Sequence, residues 1–239
     1  MIHMNLPNCC AGLILVAMLS NAQAGRPLAS DDASTADAGT CQVEAWTERA
    51  GSDRAHVLST ACGVAPGVEI GADFTWAGKG QSPTSQAGLA LKWAPESGAF
   101  NTAAGDVRLG LKLSGARQRP PGQAWQSAQP QLLGLLSLQA TPTLALHANL
   151  GATRDGASSA QATLLNLALA WTPSEPLLLF AETQANDRRA LLGGTVSSVG
   201  ARWWLLRERL GLDLTASREA GAGGPTRWTL GLGWYGLRF

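Results

Sequence analysis

The sequence predicts an all-β fold: a transmembrane, antiparallel, up-and-down β-barrel of about twelve strands. Three observations support this prediction. Apolar residues alternate with polar or small residues along most of the chain, short connections alternate with longer ones, and tryptophans lie near the predicted ends of strands.

The alternation defines the strands. Apolar residues occupy every second position over residues 68–76, 87–93, 107–113, 144–150, 165–171 and 210–214. Successive side chains of a strand point to opposite faces, so each segment has an apolar face and a polar or small face. Together with less regular segments, they predict strands near 41–49, 55–63, 67–77, 86–94, 105–115, 131–140, 142–151, 160–172, 175–185, 195–205, 209–218 and 226–239. An even number of strands is typical of single-chain bacterial barrels.

The predicted connections differ in length in a regular way. Those at 64–67, 141–142, 172–176 and 206–209 are short, whereas most of the others, such as 115–129 and 184–193, are longer and rich in Gly, Gln, Arg and Ser. Outer-membrane barrels have short periplasmic turns and longer extracellular loops. Two connections depart from this rule, a long one at 94–105 and a tight first hairpin at 51–53.

The tryptophans follow the strand ends. Trp favours the membrane–water interface, so a membrane barrel carries aromatic residues at both rims. Just before predicted short turns lie Trp93, Trp171, Trp203 and Trp204, and near the opposite ends lie Trp76 and Trp228. Tryptophans that merely filled a core would show no such bias toward turns.

Alternation alone leaves open which face is inside. A soluble barrel of the lipocalin type would hide its apolar face, but such barrels usually have about eight strands and are filled by large side chains. This chain has more predicted strands, and Gly, Ala and scattered charges occupy its second face. The pattern therefore favours a wet lumen and a lipid-facing apolar surface.

The N-terminal region has the features of an export signal. Residues 13–19 are apolar and lead to Ala22-Gln23-Ala24, a small-residue site of the kind that signal peptidase cleaves. We predict a signal peptide at 1–24, cleaved after Ala24; a retained anchor is the alternative, although the apolar run is shorter than the ~20 residues of a span. Residues 25–40 are small and polar, and we predict a flexible periplasmic leader there, followed by the barrel at 41–239.

The C-terminus carries a resemblance to a known class. The segment Tyr235-Gly-Leu-Arg-Phe239 resembles the terminal strand of outer-membrane β-barrel proteins of Gram-negative bacteria. This resemblance implies an outer-membrane location and recognition of Tyr235, Leu237 and Phe239 by the barrel assembly machinery. The preceding apolar residues have the other parity: Trp228, Leu230, Leu232 and Trp234. A bulge near Tyr235 or an inward-pointing row is therefore required.

Removal of the signal leaves two cysteines, Cys41 and Cys62. An even pair in an exported chain favours a disulfide over a metal site, and no His lies nearby at ligand spacing. A hairpin that turns at Gly51 and Ser52 pairs positions whose numbers sum to about 103, which places Cys41 opposite Cys62. We predict a disulfide there; two reduced, buried cysteines are the alternative.

The second face predicts the lining of the lumen. If the apolar rows face lipid, the ionisable and amide side chains that line the lumen are Glu44, Glu69, Asp73, Lys92, Arg108, Lys112, His147, Asn149, Glu182, Arg202 and Asp213. Ionisable groups in membrane spans often mark pathways, although charges that only neutralise one another are the alternative. We predict a channel or transporter for a small solute, surrounded by outer-membrane lipid and without a cofactor. A net charge of +1 does not indicate a nucleic-acid partner.

An enzyme is the main alternative function. Outer-membrane phospholipase has a barrel of similar size and uses His, Ser and Asn, with His and Ser two residues apart. The nearest counterpart here, His147-Ala148-Asn149, lacks the serine, and His56 and Ser59 are three apart and face opposite sides. We therefore predict no catalytic residues. A barrel that only anchors structural or adhesive loops is a further alternative.

One predicted strand has an irregular face. In residues 175–185, Leu178 and Phe180 share the parity of Glu182, which is assigned to the lumen. The strand therefore requires either a bulge or an apolar constriction of the lumen.

Overall fold

The computed structural model describes residues 28–78, 85–119, 122–155, 159–221 and 224–239. The predicted signal peptide lies outside the described residues. The strands are β1 (Thr40–Ala50), β2 (Asp53–Ala65), β3 (Val68–Gly78), β4 (Ser85–Trp93), β5 (Ala99–Thr102), β6 (Gly105–Arg119), β7 (Gln126–Thr141), β8 (Leu144–Arg154), β9 (Gln161–Ser174), β10 (Leu177–Asn186), β11 (Val196–Leu206), β12 (Leu210–Glu219) and β13 (Arg227–Arg238). A single 3-10 turn at Glu96–Gly98 and a short helix α1 at Arg189–Leu192 complete the elements.

The strands close into a barrel. Each long strand pairs antiparallel with the next, β1 pairs with β13, and β4 pairs directly with β6. Twelve strands therefore form the wall, and the short β5 pairs with the start of β6 at one rim. Closure satisfies the backbone hydrogen bonds along the wall, which a lipid environment requires. The predicted twelve-stranded antiparallel barrel is confirmed.

Burial shows which face is outside. The apolar row is exposed around the barrel, as shown by Leu58, Phe74, Leu89, Leu111, Leu136, Leu150, Leu167, Val199, Leu212 and Leu230. The polar row between these residues is largely buried. An exposed apolar band around a polar interior is the arrangement of a membrane barrel, not of a lipocalin. Among the described residues, no helix is long and apolar enough to span a membrane.

The connections agree with the prediction at one rim and differ at the other. Short turns at 66–67, 142–143, 175–176 and 207–209 share one rim. The predicted long loop at 115–129 is mostly strand, because β6 and β7 continue to pair as far as Gln118 and Gln126. The apolar alternation fades there because these strand ends extend beyond the apolar band. The predicted long connection at 94–105 contains the 3-10 turn and β5.

The first hairpin has the predicted register. Its turn lies at Gly51 and Ser52, where Gly51 adopts a φ of 61°, a left-handed conformation that glycine favours. Cys41 pairs with Cys62 across the strands and forms a disulfide, with Cα atoms 4.0 Å apart. The predicted disulfide is confirmed.

The terminal strand contains the predicted irregularity. The pairing of β13 with β1 shifts between Cys41 and Val43, and Gly236 has a φ of 69°. Trp234 remains on the exposed face, whereas Tyr235 is fully buried on the inner face. Tyr235 therefore does not share the outward row of this strand. Recognition of Tyr235, Leu237 and Phe239 by the assembly machinery stays a prediction.

The described part of the leader, residues 28–39, contacts the barrel wall. Residues 28–36 lie inside the barrel, where Ser30, Asp32, Ala33 and Ala36 are buried. Near the rim, Gly39 donates its backbone N–H to the carbonyl of Gly63 at 2.8 Å, and a Cβ at position 63 would overlap the carbonyl oxygen of Ala36. The expectation of a flexible periplasmic leader does not describe these residues. A polar segment can be buried when the surrounding wall supplies polar partners.

The irregular strand places an apolar side chain on its inner face. Phe180 and Glu182 are both buried on the inner face of β10. Phe180 fits because it pairs with Gly200 of β11, where a Cβ would overlap its ring. The pairing with β9 also shifts between Leu177 and Leu179. This shift precedes Phe180 and Glu182, which stay on the same inner face, so an inward apolar side chain and not a bulge accounts for their shared parity.

Candidate functional site in the barrel lumen

The predicted lumen residues occupy the inner face in two groups. Eight of the eleven are buried: Glu44, Glu69, Lys92, His147, Asn149, Glu182, Arg202 and Asp213. The other three, Asp73, Arg108 and Lys112, are partly exposed. One group gathers around Arg202, and the other surrounds residues 28–36.

The first group is the arginine cluster, which consists of Arg202, Asp213, Glu44, Tyr235 and Trp204. Arg202 and Asp213 are cross-strand partners on β11 and β12. The guanidinium binds the carboxylate with both arms, Nε to Oδ1 at 2.6 Å and Nη2 to Oδ2 at 2.8 Å. Its Nη2 also lies 3.6 Å from Oε1 of Glu44. This paired geometry is the strong form of a charge-assisted hydrogen bond.

Two aromatic rings enclose the guanidinium of the arginine cluster. Its carbon lies 4.9 Å from the ring centre of Trp204 and 4.8 Å from that of Tyr235. The Tyr235 hydroxyl donates a hydrogen bond to Glu44. Wall glycines make room for these side chains, since a Cβ at Gly233 would overlap the Tyr235 hydroxyl. Trp204, predicted to lie in the rim girdle, instead contributes to the lumen.

The second group is the leader site, where wall side chains bind the backbone of residues 28–36. Glu182 accepts hydrogen bonds from the amides of Ala29 and Ser30, each at 2.9 Å to Oε2. Farther along the leader, three amides donate to three other strands: Asp31 to Asn149 at 2.9 Å, Ala33 to Ser137 at 2.8 Å and Ala36 to Glu69 at 2.8 Å. The leader thus crosses the lumen in contact with β3, β7, β8 and β10.

Two lysines hold the Asp31 carboxylate within the leader site. Lys92 Nζ lies 3.1 Å from Oδ1, and Lys112 Nζ lies 2.7 Å from Oδ2. Burial raises the pKa of Asp31, but the two ammonium groups outweigh burial and lower the pKa to about 2. Lys92 also approaches Asp32 at 3.6 Å and Glu69 at 4.0 Å. Asp31 is therefore ionised at neutral pH and joins the leader to β4 and β6.

A serine and a histidine meet beside the leader. Ser137 Oγ on β7 lies 2.8 Å from Nδ1 of His147 on β8. The local sequence relates His147 only to neighbours on its own strand, so it does not reveal Ser137. The signal that would have found it is the register of the two strands, which pairs these positions directly. Ser137 also accepts the Ala33 amide, so the same hydroxyl belongs to the leader site.

Apolar contact adds little to the leader site. Ala33 packs against Leu133 and Leu135 of β7, with Leu164 at the edge of this small cluster. The remaining contacts of the leader are mainly hydrogen bonds and ion pairs. Such a segment can exchange its partners with water or with a polar ligand.

Cavities flank the leader. One of about 410 Å³ is lined by Asp32, Arg108, Ser137 and His147, and another of about 280 Å³ by Asp31, Glu44 and Lys112. A third, of about 320 Å³, lies among polar residues that include Asp73 and Gln131. Two of these cavities border the leader directly, and all three include charged or polar side chains.

Comparisons with known proteins place the chain in a family. A family model described as "Uncharacterised conserved protein UCP029691" matches residues 13–234. Among curated proteins, none matches the sequence.

Solved structures resemble the fold. KdgM porin aligns with a TM-score of 0.61 and 8% identity, over 81% of this chain and 98% of that chain. NanC porin aligns with a TM-score of 0.59 and 8% identity over the same shares. Outer membrane phospholipase A from Escherichia coli aligns with a TM-score of 0.50 and 12% identity, over 82% and 92%. At these identities the likeness concerns the fold.

The family model spans almost the whole barrel and most of the chain. The chain therefore belongs to the family described as uncharacterised conserved protein UCP029691, and it has the barrel fold of outer-membrane porins.

Proposed function

We propose that the protein is an outer-membrane channel for small polar solutes, and that residues 28–39 close it in the conformation described. The observation that carries this proposal is a polar lumen occupied by a segment of the same chain, held mainly by hydrogen bonds and ion pairs. A barrel interior that served only as a packed core would be filled by apolar side chains. Buried ionisable groups in a membrane protein favour a pathway.

The structural likenesses support the channel over other functions. KdgM and NanC are porins, and a structure of KdgM contains disordered oligogalacturonate. For this chain we propose a small polar solute, because charged side chains border the described cavities. Solutes of this kind pass a lumen that offers hydrogen-bond partners along its length.

Export and insertion are part of the same proposal. A signal peptide cleaved after Ala24 would bring the chain to the periplasm, and the terminal strand ending at Phe239 would direct its assembly. Deletion of Phe239 should leave the protein exported but should lower its amount in the outer membrane, as measured by fractionation. Unchanged membrane levels would count against this role of the terminal residue.

Conductance of the refolded protein in a planar bilayer tests the channel. Wild-type protein should conduct rarely, because the leader occupies the lumen. Asp31→Lys should increase the open fraction strongly, since it places a third cation beside Lys92 and Lys112. Gly63→Ala should act in the same direction without a change of charge, because its Cβ would overlap the leader backbone.

The control is Asp37→Lys, since Asp37 lies in the same segment but is exposed at the rim. Its conductance should equal that of the wild type. If both Asp31→Lys and Gly63→Ala fold and neither conducts, the protein is not a channel gated by this segment.

A hydrolase is the second candidate, and the contact between Ser137 and His147 favours it. A serine hydroxyl 2.8 Å from an imidazole nitrogen meets the first requirement of an activated nucleophile. Covalent labelling of Ser137 by a fluorophosphonate, absent in Ser137→Ala, would support this function. Failure of the probe to label the folded Asp31→Lys variant, in which the leader is weakened, would exclude it.

A further inference from the structure

We infer that the leader site is a binding site for short acidic peptides, and that the leader occupies it as an internal substitute for such a ligand. This inference rests on the proposed function, because a ligand from outside can enter only when the leader leaves. The occupant identifies the chemistry of the site: a polypeptide backbone with an acidic side chain, Asp31, between two lysines.

The wall recognises backbone groups. Glu182, Asn149, Ser137 and Glu69 come from four different strands, and each accepts a main-chain amide of the leader. The leader residues that donate are mostly Ala or Ser, which add little bulk. Because all non-proline peptides carry the same amides, these four acceptors do not require the particular sequence of the leader.

Asn149 distinguishes a peptide from other polar solutes. Its Oδ1 accepts the amide of Asp31 at 2.9 Å, and its Nδ2 donates to the carbonyl of Asp31 at 2.7 Å. One carboxamide thus pairs with both backbone groups of one residue, as a neighbouring strand would do. A simple carboxylic acid lacks the N–H donor that this arrangement uses.

The charges set the preference for one acidic side chain. Lys92 and Lys112 each bind one oxygen of the Asp31 carboxylate, and the Lys92 side chain is only 4% exposed. At either end of the site, however, the acceptors are the carboxylates of Glu182 and Glu69. A polyanion would be repelled by these carboxylates, whereas backbone N–H groups satisfy them. The site therefore matches a polypeptide backbone with an acidic side chain at the position of Asp31. The second carboxylate of the leader, Asp32, lies farther from Lys92, at 3.6 Å, and accepts hydrogen bonds from Ser34 of the leader itself.

Full-length Asp31→Asn tests the inference, because it removes the charge that Lys92 and Lys112 bind, and so weakens the docking of the leader, without a change of shape. The probe is the blocked tripeptide acetyl-Ala-Asp-Ala-amide, and its binding to the refolded protein is measured by titration calorimetry. The matching peptide with Asn should bind about tenfold more weakly, since it lacks the charged contact with the two lysines. Succinate, which carries carboxylates without a peptide unit, should also bind at least tenfold more weakly.

The lysine contact has a matched control on the same strand. Adding Lys112→Gln to Asp31→Asn should remove most of the preference for the Asp peptide. Arg119→Gln should leave it unchanged, because Arg119 is exposed at the far end of β6, seven residues or about 23 Å from Lys112. Migration on unheated gels identifies any variant that has not folded.

If Asp31→Asn does not fold, a measurement on the wild type tests the same inference. Millimolar acetyl-Ala-Asp-Ala-amide should compete with the leader and speed hydrogen exchange at the Ala33 amide, which donates to Ser137 when the leader is docked. The Asn peptide should have a smaller effect at the same concentration.

Three results overturn the inference: no peptide binding to folded Asp31→Asn, equal binding of the Asp and Asn peptides, or succinate binding as tight as that of the Asp peptide. Conductance of Asp31→Asn is recorded separately. A variant that binds the peptide but never conducts contradicts the proposed channel function and supports the proposed peptide-binding site. A variant that conducts but binds no peptide supports the channel function and contradicts the peptide-binding site.

Discussion

The arginine cluster and the leader site both bury charge inside the barrel, but different parts of the chain supply their partners. In the arginine cluster, Arg202, Asp213 and Glu44 all belong to wall strands: β11 pairs with β12, and β13 joins β12 to β1. In the leader site, Lys92 and Lys112 on the wall bind Asp31 of a segment outside the sheet. The strand pairing of the barrel fixes the first network. The second network can be broken by movement of the leader, while the strands of the barrel remain paired.

This difference assigns the two regions different tasks. A buried charge is costly when its partner is removed, so charges that are always paired stabilise one arrangement of the strands. Charges paired with a removable segment can instead exchange that partner for a solute. Buried ion pairs therefore stabilise the barrel wall around Arg202, whereas around Asp31 we propose that they bind a ligand.

The largest expected effect is on the arginine cluster. Arg202→Met keeps much of the side-chain volume but leaves the carboxylates of Asp213 and Glu44 buried beside each other. We expect a loss of about 3–5 kcal/mol in the free energy of unfolding, measured by urea titration of the refolded protein. The leader should remain docked wherever the variant is folded, because none of its described hydrogen bonds involves Arg202.

The matched control is Arg207→Met. Arg207 lies 3.0 Å from Glu175, but both side chains are more than half exposed. Exposed pairs contribute less than about 1 kcal/mol, so the unfolding midpoint should hardly move. If the two substitutions have equal effects, the arginine cluster does not stabilise the wall as argued.

A second effect concerns the boundary between the two regions. Cys41 and Cys62 join β1 to β2 near the point where Gly39 of the leader contacts Gly63. Replacement of both cysteines by Ala removes a link between residues 21 apart, which costs about 3 kcal/mol in the chain-entropy model. Urea titration of the variant and of chemically reduced wild type should give the same lowered midpoint, and an unchanged midpoint in both would contradict the estimate.

Acid should weaken the docking of the leader through Asp31, and this response should distinguish the leader site from the arginine cluster. The pKa of Asp31 is about 2 with the leader docked, against an ordinary value of 3.8. A lowered pKa means that the carboxylate contributes its full stabilisation above about pH 4 and loses it as the pH falls through about 2. The loss is about 2 kcal/mol of docking free energy.

The amide NMR signal of Ala33 reports this change, because its N–H is bonded to Ser137 only in the docked state. The signal should be constant from pH 7 to about 4 and should change toward pH 2. Asp31→Asn should abolish this pH dependence, whereas Asp37→Asn should keep it. A transition at the same pH in Asp31→Asn would assign it to another group.

The barrel could be predicted because the surrounding lipid imposes a simple rule on the sequence. One face of every spanning strand must be apolar, and this requirement leaves a period of two that marks the strands and their faces. The disulfide followed from the same rule, since the hairpin at Gly51 fixes the partner of Cys41. The strand ends of β6 and β7 were missed because they extend beyond the apolar band, where the rule no longer applies.

The contents of the lumen were harder to predict. Residues 25–40 lack the apolar side chains that mark a buried segment, yet the described part is buried because four wall strands supply hydrogen-bond acceptors. Those acceptors are far apart in the sequence, so local patterns do not reveal them. One signal was present: Trp203 and Trp204 are adjacent in a strand, so they face opposite sides and one of them points inward.

The smallest expected effect separates single hydrogen bonds of the leader site from its ion pairs. Ser137→Ala removes the acceptor of the Ala33 amide but leaves the contacts of Asp31 with Lys92 and Lys112 in place. A buried N–H without an acceptor costs about 1 kcal/mol, so hydrogen exchange at Ala33 should be about fivefold faster. Ser127→Ala, an exposed position on the same strand, should not change the exchange rate. Equal rates in the two variants would mean that this hydrogen bond does not help to hold the leader, and that the lysine contacts bear most of its docking energy.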